Sequence, residues 1–369
     1  MKEVPLKDIC NKDSSSLKQK ELMTEGKYPV YGASGIAGYL NSYHQKEAYI
    51  GIVKDGSGIG RVDFYPEETS LIGTMQYILP KKGYNIRYIG YCLQSLDLSK
   101  YKQGAAIPHI YFRDYGERIV KVTEDEREQK RIVERLDAAF AQIDELKANA
   151  EKQLTEARTL FQKSLAKAME PKEGWEEKKL KDIVLTITDG DHQPPPKSSD
   201  GIPFITISNI DKESNKIDFE DTFHVPQTYF NGLKSDRIPQ QGDVLYTVTG
   251  SFGIPVLIDY KKDFCFQRHI ALIRPNQKLL FPEFLYYWIL SDYAKAQAED
   301  TATGAAQRTV SLNSLRKFNI SIPPLSEQQR IVERLDSISE NVRKYEEIQQ
   351  KIIAECDALK QALLRQVFE

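Results

Sequence analysis

The stretch EQKRIVERLD (residues 128–137) recurs as EQQRIVERLD (residues 327–336), with a single change, in a chain of 369 residues. Each copy follows a Gly-Ala-Ala triplet, at 104–106 and 304–306, and a short alternating run, RIVKV or FNISI. Further upstream, VKDGSGIGRVDFY resembles YTVTGSFGIPVLIDY, and PLKDIC resembles KLKDIV. The chain is therefore predicted to be one unit written twice. Two copies favour a pseudo-two-fold arrangement over a solenoid.

The repeat predicts four segments. Residues 1–123 and 171–322 are expected to form two similar β-rich mixed domains, because runs such as AYIGIV and HIALIRP are bounded by Gly, Pro, Asn and Asp turns. Residues 124–170 and 323–369 are expected to form two long spacer helices, each about 65 Å long at 1.5 Å per residue. The predicted fold class is α+β, with an antiparallel helix pair that separates the two domains and holds them at a fixed distance.

Apolar residues in both helical segments recur with the alternating spacing of three and four that is typical of a coiled coil. The predicted seam consists of Ile132, Leu136, Ile143 and Leu146 in the first helix, and of Ile331, Leu335, Ile338, Val342, Tyr345, Ile352, Leu359 and Leu363 in the second. Neither helix has another amphipathic helix of similar length to pack on except its own repeat, so the two are expected to pair.

The composition is that of an ordinary globular protein, with 40% hydrophobic and 28% charged residues. The N-terminal stretch is charged, and no run of about eighteen apolar residues occurs, so a cytoplasmic location is expected. The four cysteines are scattered, and the five histidines do not pair at metal-ligand spacing. Neither a disulfide framework nor a metal site is predicted.

The net charge of −2 gives no general indication of nucleic-acid binding. Residues 1–123 hold 17 Lys and Arg against 13 Asp and Glu, and residues 170–322 hold 18 against 21. Any DNA-binding surface must therefore be local.

Motifs of common enzymes are missing from the sequence. It contains no phosphate-loop GK[ST], no GxSxG and no HExxH. The glycines of DGSGIG have the wrong spacing for a dinucleotide site and favour a turn, and DHQPPP lacks the closing aromatic residue of adenine methyltransferase loops. These absences favour a binding protein without a cofactor over an enzyme.

Polar and basic residues in the predicted loops suit contact with base edges in the major groove, where Arg, Gln and Asn can bond bidentately. The candidates are Lys54, Ser57, Arg61, Gln76 and His109 in the first domain, and His192, Gln193, Thr249, Ser251, Gln267, Arg268, Gln307 and Arg308 in the second. For any one of them, a surface or turn role is the simpler alternative.

Several stretches together resemble the DNA-specificity subunits of type I restriction–modification systems. They include YPVYGASGIAGYL and YIGIVKDGSGIGRVDF in the first half, and GDVLYTVTGSFGIPVLID, FCFQRHIALIRPN and ATGAAQRTVSLNSLRKFNISIPPLSEQQRIVERL in the second. The first domain departs from the pattern, because it lacks a Pro-Pro pair like Pro323–Pro324 and a Gly-Trp opening like Gly174–Trp175.

The resemblance implies two target recognition domains that each read one half of a split DNA site, with the helices acting as a ruler. It also implies partners, namely double-stranded DNA, two methyltransferase subunits and restriction/translocase subunits. S-adenosylmethionine, ATP and Mg would then belong to the partner subunits, and the half-sites would be centred about one helical turn apart.

Two alternatives remain open at this stage. One is a non-enzymatic protein-binding scaffold built on the coiled coil, which sequence-specific DNA binding would exclude. The other is a nuclease or methyltransferase of unfamiliar type, which assays of the chain alone with S-adenosylmethionine, or with magnesium and DNA, would detect.

Overall fold

The computed structural model describes residues 1–104, 108–192, 194–304 and 307–369. The chain divides into two compact units, of which unit 1 consists of residues 1–153 and 348–369, and unit 2 of residues 154–347. Each unit combines one globular domain with stretches of both long helices. In the described part of the chain, no helix has the length and apolar character needed to cross a membrane.

Unit 1 contains a globular domain of short strands and connecting helices. Its strands are β1 (Lys2–Pro5), β2 (Cys10–Ser14), β3 (Tyr28–Gly32), β4 (Gly35–Leu40), β5 (Tyr49–Val53), β6 (Val62–Tyr65), β7 (Ser70–Leu71), β8 (Met75–Pro80) and β9 (Ile119–Val122). Its helices are α1 (Leu6–Ile9), α2 (Ile86–Ser95), α3 (Phe112–Tyr115) and the first long helix, α4 (Glu126–Met169), which continues into unit 2. One sheet has the order β2–β8–β5–β6, a second has the order β4–β3–β7, and β1 pairs with β9.

Unit 2 repeats this plan. Its strands are β10 (Glu176–Lys179), β11 (Val184–Asp189), β12 (Ile202–Ile205), β13 (Ile210–Asp211), β14 (Lys216–Ile217), β15 (Phe223–Val225), β16 (Val244–Thr247), β17 (Pro255–Leu257), β18 (Cys265–Phe266), β19 (Ile270–Pro275) and β20 (Asn319–Ile322). Its helices are α5 (Leu180–Ile183), α6 (Gln227–Asn231), α7 (Pro282–Leu290), α8 (Asp292–Thr301), α9 (Leu312–Arg316) and the second long helix, α10 (Leu325–Phe368), which continues into unit 1. The sheets have the orders β11–β19–β16–β17 and β15–β12–β18, and β10 pairs with β20.

The two domains share one topology, so the predicted duplication and the α+β class are confirmed. In both three-stranded sheets the central strand, β3 or β12, pairs antiparallel to one neighbour and parallel to the other. The tetrapeptide LKDI forms α1 and, again, α5, and its leucine and isoleucine are buried each time. The hairpin β13–β14 is an addition in unit 2.

The start of each long helix belongs to the buried core of its domain. In unit 1, Ile132 and Leu136 of α4 share a buried cluster with Leu364 and Phe368 at the end of α10. In unit 2 the corresponding cluster contains Ile331, Val332 and Leu335 of α10 together with Leu165 and Met169 of α4. Each domain therefore packs against the beginning of one long helix and the end of the other, as a two-fold repeat requires.

A buried glutamine explains why the decamer occurs twice. The side chain of Gln129 accepts a hydrogen bond from the Asn85 backbone N–H (2.7 Å) and donates to the carbonyl groups of Gly83 (2.9 Å) and Thr123 (3.0 Å). Gln328 makes the same three kinds of bond in unit 2, with the Phe281 N–H (2.9 Å) and the carbonyl groups of Leu279 (2.8 Å) and Pro323 (2.9 Å). Both glutamine side chains are fully buried, and each pairs three backbone groups of the adjoining loops.

The aspartate that ends each decamer makes a second attachment. In unit 1, Asp137 accepts hydrogen bonds from the Tyr91 hydroxyl and from Arg87. In unit 2, Asp336 accepts one from the Tyr287 hydroxyl at 2.6 Å. The decamer thus attaches each globular domain to its long helix.

The long helices pair antiparallel in each unit. In unit 1, Lys147 contacts Asp357 at 2.7 Å and Asp144 contacts Lys360. In unit 2, Arg158 of α4 contacts Glu346 of α10 at 2.7 Å. In unit 1 the residue numbers rise along one helix as they fall along the other, which confirms the predicted antiparallel pair.

The predicted seam needs correction at three positions. Leu146, Tyr345 and Leu359 are exposed by 53%, 39% and 49%, whereas their neighbours Lys147, Glu346 and Lys360 are largely covered and form the ion pairs just described. The predicted seam placed an apolar residue at each of these three positions. In the structure, the polar residue that follows it in the sequence faces the other helix instead. Of the remaining seam residues, Ile132, Leu136, Ile143, Ile331 and Leu335 are buried, and Ile338, Val342, Ile352 and Leu363 are half-buried.

Candidate functional site

Three loop segments of unit 2 meet beyond the ends of the strands. They are the β16–β17 loop (residues 248–254), the β18–β19 connection (267–269) and the segment before α9 (307–309). The Val248 N–H donates to the His269 carbonyl, and the Gly250 N–H donates to the Arg308 carbonyl, both at 2.9 Å. Gly250 has φ +72°, a backbone conformation that favours glycine. We call this group of segments the unit 2 loop surface.

Polar side chains at the centre of this surface bond to one another. His269 Nδ1 lies 3.2 Å from Thr249 Oγ1, and the Thr309 hydroxyl donates to Thr249 Oγ1 at 3.4 Å. Thr249 is only 6% exposed. The prediction that Thr249 contacts a base is therefore wrong in this structure, because its hydroxyl is enclosed and joins the three loops instead.

The remaining candidates of unit 2 lie at the rim of the surface. Gln307 and Arg268 are exposed, and Gln267 is half-buried, with its backbone N–H bonded to the Ile205 carbonyl (3.0 Å). The Arg308 guanidinium bonds to Glu299 and lies over the Phe252 ring, 5.3 Å from the ring centroid. The structure therefore brings these residues together, while their contact with DNA stays a prediction.

The segment after β11 borders the same surface through Asp191, which bridges to Gln267. The exposed His192 lies 3.0 Å from a carboxylate oxygen of Asp189. Gln193, the adjoining candidate, lies outside the described residues.

The additional hairpin of unit 2 brings a lysine that the sequence interpretation missed. Lys212, in the turn between β13 and β14, donates from Nζ to the hydroxyl of the candidate Ser251 at 2.8 Å. The turn-forming letters DKESNK between two short apolar runs could have predicted the hairpin, but nothing in them indicates where it packs.

The corresponding segments of unit 1, within the described residues, are 54–61, 103–104 and 108–110. The Ile110 N–H donates to the Lys54 carbonyl (3.0 Å), as the Val310 N–H does to Val248 (2.9 Å) in unit 2. Bridges join Asp55 to His109 here and Thr249 to Thr309 there. The same backbone frame thus presents a carboxylate and an imidazole in unit 1, but two hydroxyls in unit 2. We call these segments the unit 1 loop surface.

Four unit 1 candidates lie on this surface. Ser57 is exposed, and Lys54 is half-buried with its Nζ 3.8 Å from Asp55. The Arg61 side chain bonds to Asp63 (3.0 Å) and to the Ala33 carbonyl, and His109 Nδ1 bonds to Asp55. Arg61 and His109 are therefore held in place by neighbouring groups.

Gln76, the fifth unit 1 candidate, cannot reach DNA in this structure. It is 2% exposed and donates a hydrogen bond to the Tyr115 hydroxyl. The prediction of a base contact is therefore wrong, because Gln76 lies on the central strand β8, where its side chain faces the core.

An aromatic and cationic stack on unit 1 was also missed. The rings of His109 and Tyr111 lie 4.1 Å apart, and the Arg113 guanidinium lies 4.5 Å from the Tyr111 centroid. Tyr111 and the Arg113 side chain are 39% and 73% exposed. The alternating basic and aromatic residues of HIYFR could have predicted this cluster, because aromatic rings and guanidinium groups can contact bases and phosphates.

The pKa of the His269 imidazole is lowered by its surroundings. Burial lowers its pKa below the ordinary value of 6.5, and the nearby charges of Arg268 and His192 lower it further. In the tautomer with an unprotonated Nδ1, the ring can accept a hydrogen bond from the Thr249 hydroxyl. His269, Thr249 and Thr309 thus form one hydrogen-bonded group at the centre of the unit 2 loop surface.

Comparison with known proteins gives consistent results. The family described as "Type I restriction modification DNA specificity domain" matches residues 1–156 and 172–354. The type I restriction enzyme EcoBI specificity subunit of Escherichia coli is 24% identical over 65% of this chain, and the match spans 56% of that subunit. A putative type I restriction enzyme specificity subunit of Haemophilus influenzae is 25% identical, over 90% of this chain and 86% of its own length.

Solved structures share the fold. A chain from a type I R-M system, studied for complex assembly and conformational transition, superposes with a TM-score of 0.74 at 18% identity, and covers 99% of this chain and 97% of its own. The HsdS subunit of Thermoanaerobacter tengcongensis gives a TM-score of 0.54 at 17% identity, over 99% and 96%.

Proposed function

The chain belongs to the family of type I restriction–modification DNA specificity proteins, and we propose that it reads a split DNA site, with each recognition domain reading one half. Relatives that are named specificity subunits of type I restriction enzymes support this proposal. The protein-binding scaffold is not favoured as an alternative, because it leaves the two loop surfaces without a role.

One observation carries the proposal. Two copies of one backbone frame present different side chains at equivalent places, Asp55 and His109 in unit 1 and Thr249 and Thr309 in unit 2. Two domains that only capped the helices would not need side chains of different chemical type in their loops. Two readers of different sequences would, because each base pair shows its own pattern of donors and acceptors in the major groove. The predicted site is therefore asymmetric as well as split.

The long helices would set the spacing of the half-sites. Each is a continuous helix of 44 residues that leaves one recognition domain and ends in the core of the other. A continuous helix transmits a fixed length, about 1.5 Å for each residue. Half-sites centred about one turn of DNA apart are expected.

Exposed apolar side chains on the helices would bind methyltransferase subunits. Unit 1 exposes Leu146 and Leu359, and unit 2 exposes Leu160 and Tyr345. The repeat spacing of 199 residues relates Leu146 to Tyr345 and Leu160 to Leu359, so each unit offers an equivalent pair. Two equivalent pairs would bind two copies of one partner.

The chain itself would be non-catalytic. Methyl transfer, ATP-driven translocation and cleavage would belong to the partner subunits, which would also supply S-adenosylmethionine, ATP and Mg sites. The nearly balanced charge of both domains supports this division, because phosphate contacts supply much of the affinity for DNA and would come from the partners.

Selection from random DNA tests the proposal. The chain in complex with its methyltransferase subunits is incubated with a randomised duplex pool, and the bound fraction is sequenced. We expect two short specified blocks separated by unspecified base pairs. A single continuous block, or no enrichment by an active complex, would contradict a split-site reader.

A further inference from the structure

The Arg308 side chain is the most tightly held cation on the unit 2 loop surface. One terminal nitrogen donates to the Glu299 carboxylate, and the other donates to the Glu299 carbonyl at 2.7 Å. The guanidinium plane also lies over Phe252. The backbone is fixed too, since the Arg308 carbonyl accepts the Gly250 N–H. Yet 45% of the side chain stays exposed.

These bonds leave most of the guanidinium donors free. Arginine has five N–H groups in a planar fork, and Glu299 uses two of them. The remaining three can form a bidentate contact with the O6 and N7 atoms of guanine, the commonest specific contact in the major groove. A side chain already ordered in the free protein loses less entropy when it binds.

From this geometry we propose that Arg308 contacts a guanine in the half-site read by unit 2, and that Glu299 is its positioning residue. The inference rests on the proposed function and specifies one base pair of the DNA site and the two residues that recognise it. The exposed Arg308–Glu299 pair is of a kind that adds little to folding, so the effect of breaking it should be seen in recognition.

Unit 1 offers no counterpart at this position. The backbone bond that Gly250 makes to Arg308 is made by Gly56 to Pro108 in unit 1. Proline carries no side-chain donor. A defect caused by Arg308 should therefore be confined to one half of the DNA site.

The experiment uses the full chain in complex with its methyltransferase subunits. Random-pool selection with the unchanged protein first defines both half-sites. Arg308→Lys and Arg308→Ala are then compared with Glu299→Ala and Glu299→Gln, since glutamine keeps an oxygen acceptor for Arg308. Lys295→Ala is the matched control, because it breaks another exposed ion pair of α8, with Asp292 at 3.8 Å.

We expect Arg308→Lys and Arg308→Ala to relax one G·C base pair of one half-site by about 5- to 140-fold, the range of a bidentate base contact. Glu299→Ala should relax the same base pair by about 2- to 12-fold, the cost of ordering one long side chain. Glu299→Gln and Lys295→Ala should retain the selectivity of the unchanged protein.

Modified DNA supplies a second test at that base pair. Replacing the guanine by 7-deazaguanine removes the N7 acceptor, so it should weaken binding by the unchanged protein and add no further loss in Arg308→Ala. Arg308 variants that keep both half-sites unchanged, or relax both, would overturn the inference while the split-site function stands. If the unchanged complex selects no split site, the proposed function fails and the inference with it.

Discussion

At the residue scale, the buried glutamine of each decamer connects a long helix to its recognition domain. The Gln328 side chain is fully buried and bonds to three backbone groups. Its neighbour Gln329 is exposed and bonds to Glu333 on the same helix at 3.0 Å. The two glutamines lie in the same helix and have the same helix propensity. A difference between their substitutions would therefore report the buried contacts of Gln328.

Gln328→Leu should lower the free energy of unfolding of unit 2 by about 1–3 kcal/mol, because it removes the hydrogen-bond partner of three backbone groups. Gln329→Leu should change it by less than about 0.5 kcal/mol. Trp175 and Trp288 both lie in unit 2, so tryptophan fluorescence during urea unfolding follows this unit. Equal effects of the two substitutions would contradict the assigned role.

The lowered pKa of His269 predicts a dependence of stability on pH. The unfolded chain binds a proton near the ordinary value of 6.5, whereas the folded domain binds it only at lower pH. The stability is therefore fully present above about pH 6.5 and is lost as the pH falls through the folded pKa. His269→Asn, which does not titrate, should reduce this loss, measured by tryptophan fluorescence at a series of pH values. An unchanged pH profile would show that His269 does not contribute.

The residue scale also marks where prediction from the sequence was least successful. Most candidates lie on the two loop surfaces, because loops between strands can be recognised from their turn residues. Gln76 and Thr249 proved to be enclosed, and Glu299 and Lys212 were missed. Which polar side chain points inward depends on strand positions and loop packing that one sequence does not specify.

At the element scale, the sequence predicted that two long helices form and that they pair. It did not predict at every position which residue faces the other helix. Their heptad pattern predicted two helices of about 45 residues, and the structure has two of 44. At three positions, however, Lys147, Glu346 and Lys360 are largely covered, whereas Leu146, Tyr345 and Leu359 are exposed. Long polar side chains can cover apolar surface with their methylene stems, so the hydrophobic pattern alone misplaces the seam by one residue at these three positions.

A pair of substitutions tests the corrected seam. Ile143→Ala should lower the free energy of unfolding of unit 1 by about 2–5 kcal/mol, because Ile143 is 7% exposed and its loss leaves a cavity. Leu146→Ala, only three residues away, should cost less than about 0.5 kcal/mol. Calorimetric unfolding of both variants measures the difference. A large loss of stability in Leu146→Ala would show that Leu146 belongs to the seam, as predicted from the sequence.

The exposed apolar pairs predict the stoichiometry of the partner. The double substitution of Leu146 and Leu359 by lysine should remove one of two methyltransferase subunits, since each leucine that is buried in an interface contributes about 1.5–3 kcal/mol. Native mass spectrometry of the complex would show a change from two partner copies to one. Lys130→Gln, at an exposed position of α4, is the control. Two copies bound to the double variant would contradict the proposed docking pairs.

At the scale of the whole molecule, duplication was the most predictable feature. A decamer, a Gly-Ala-Ala triplet and the LKDI tetrapeptide recur in the same order, and the two domains share one topology. Each domain also has its own buried core, so the two readers are expected to act independently. The bases that they read could not be predicted, because loop residues do not form a code and DNA shape adds specificity.

Exchange of one domain tests this independence. Replacing residues 176–322 by the corresponding domain of another family member should change one half of the recognised sequence and leave the other half and the spacing unchanged. The selected sequences of the chimaeric complex supply the measurement. A change in both halves would show that the domains do not read separately.

The most direct test of the central claim is methylome sequencing of cells that express this chain with and without its methyltransferase partner. We expect a split asymmetric motif that carries N6-methyladenine in both halves and that disappears when either protein is omitted. A continuous motif, or a methylation pattern that does not depend on this chain, would contradict the account.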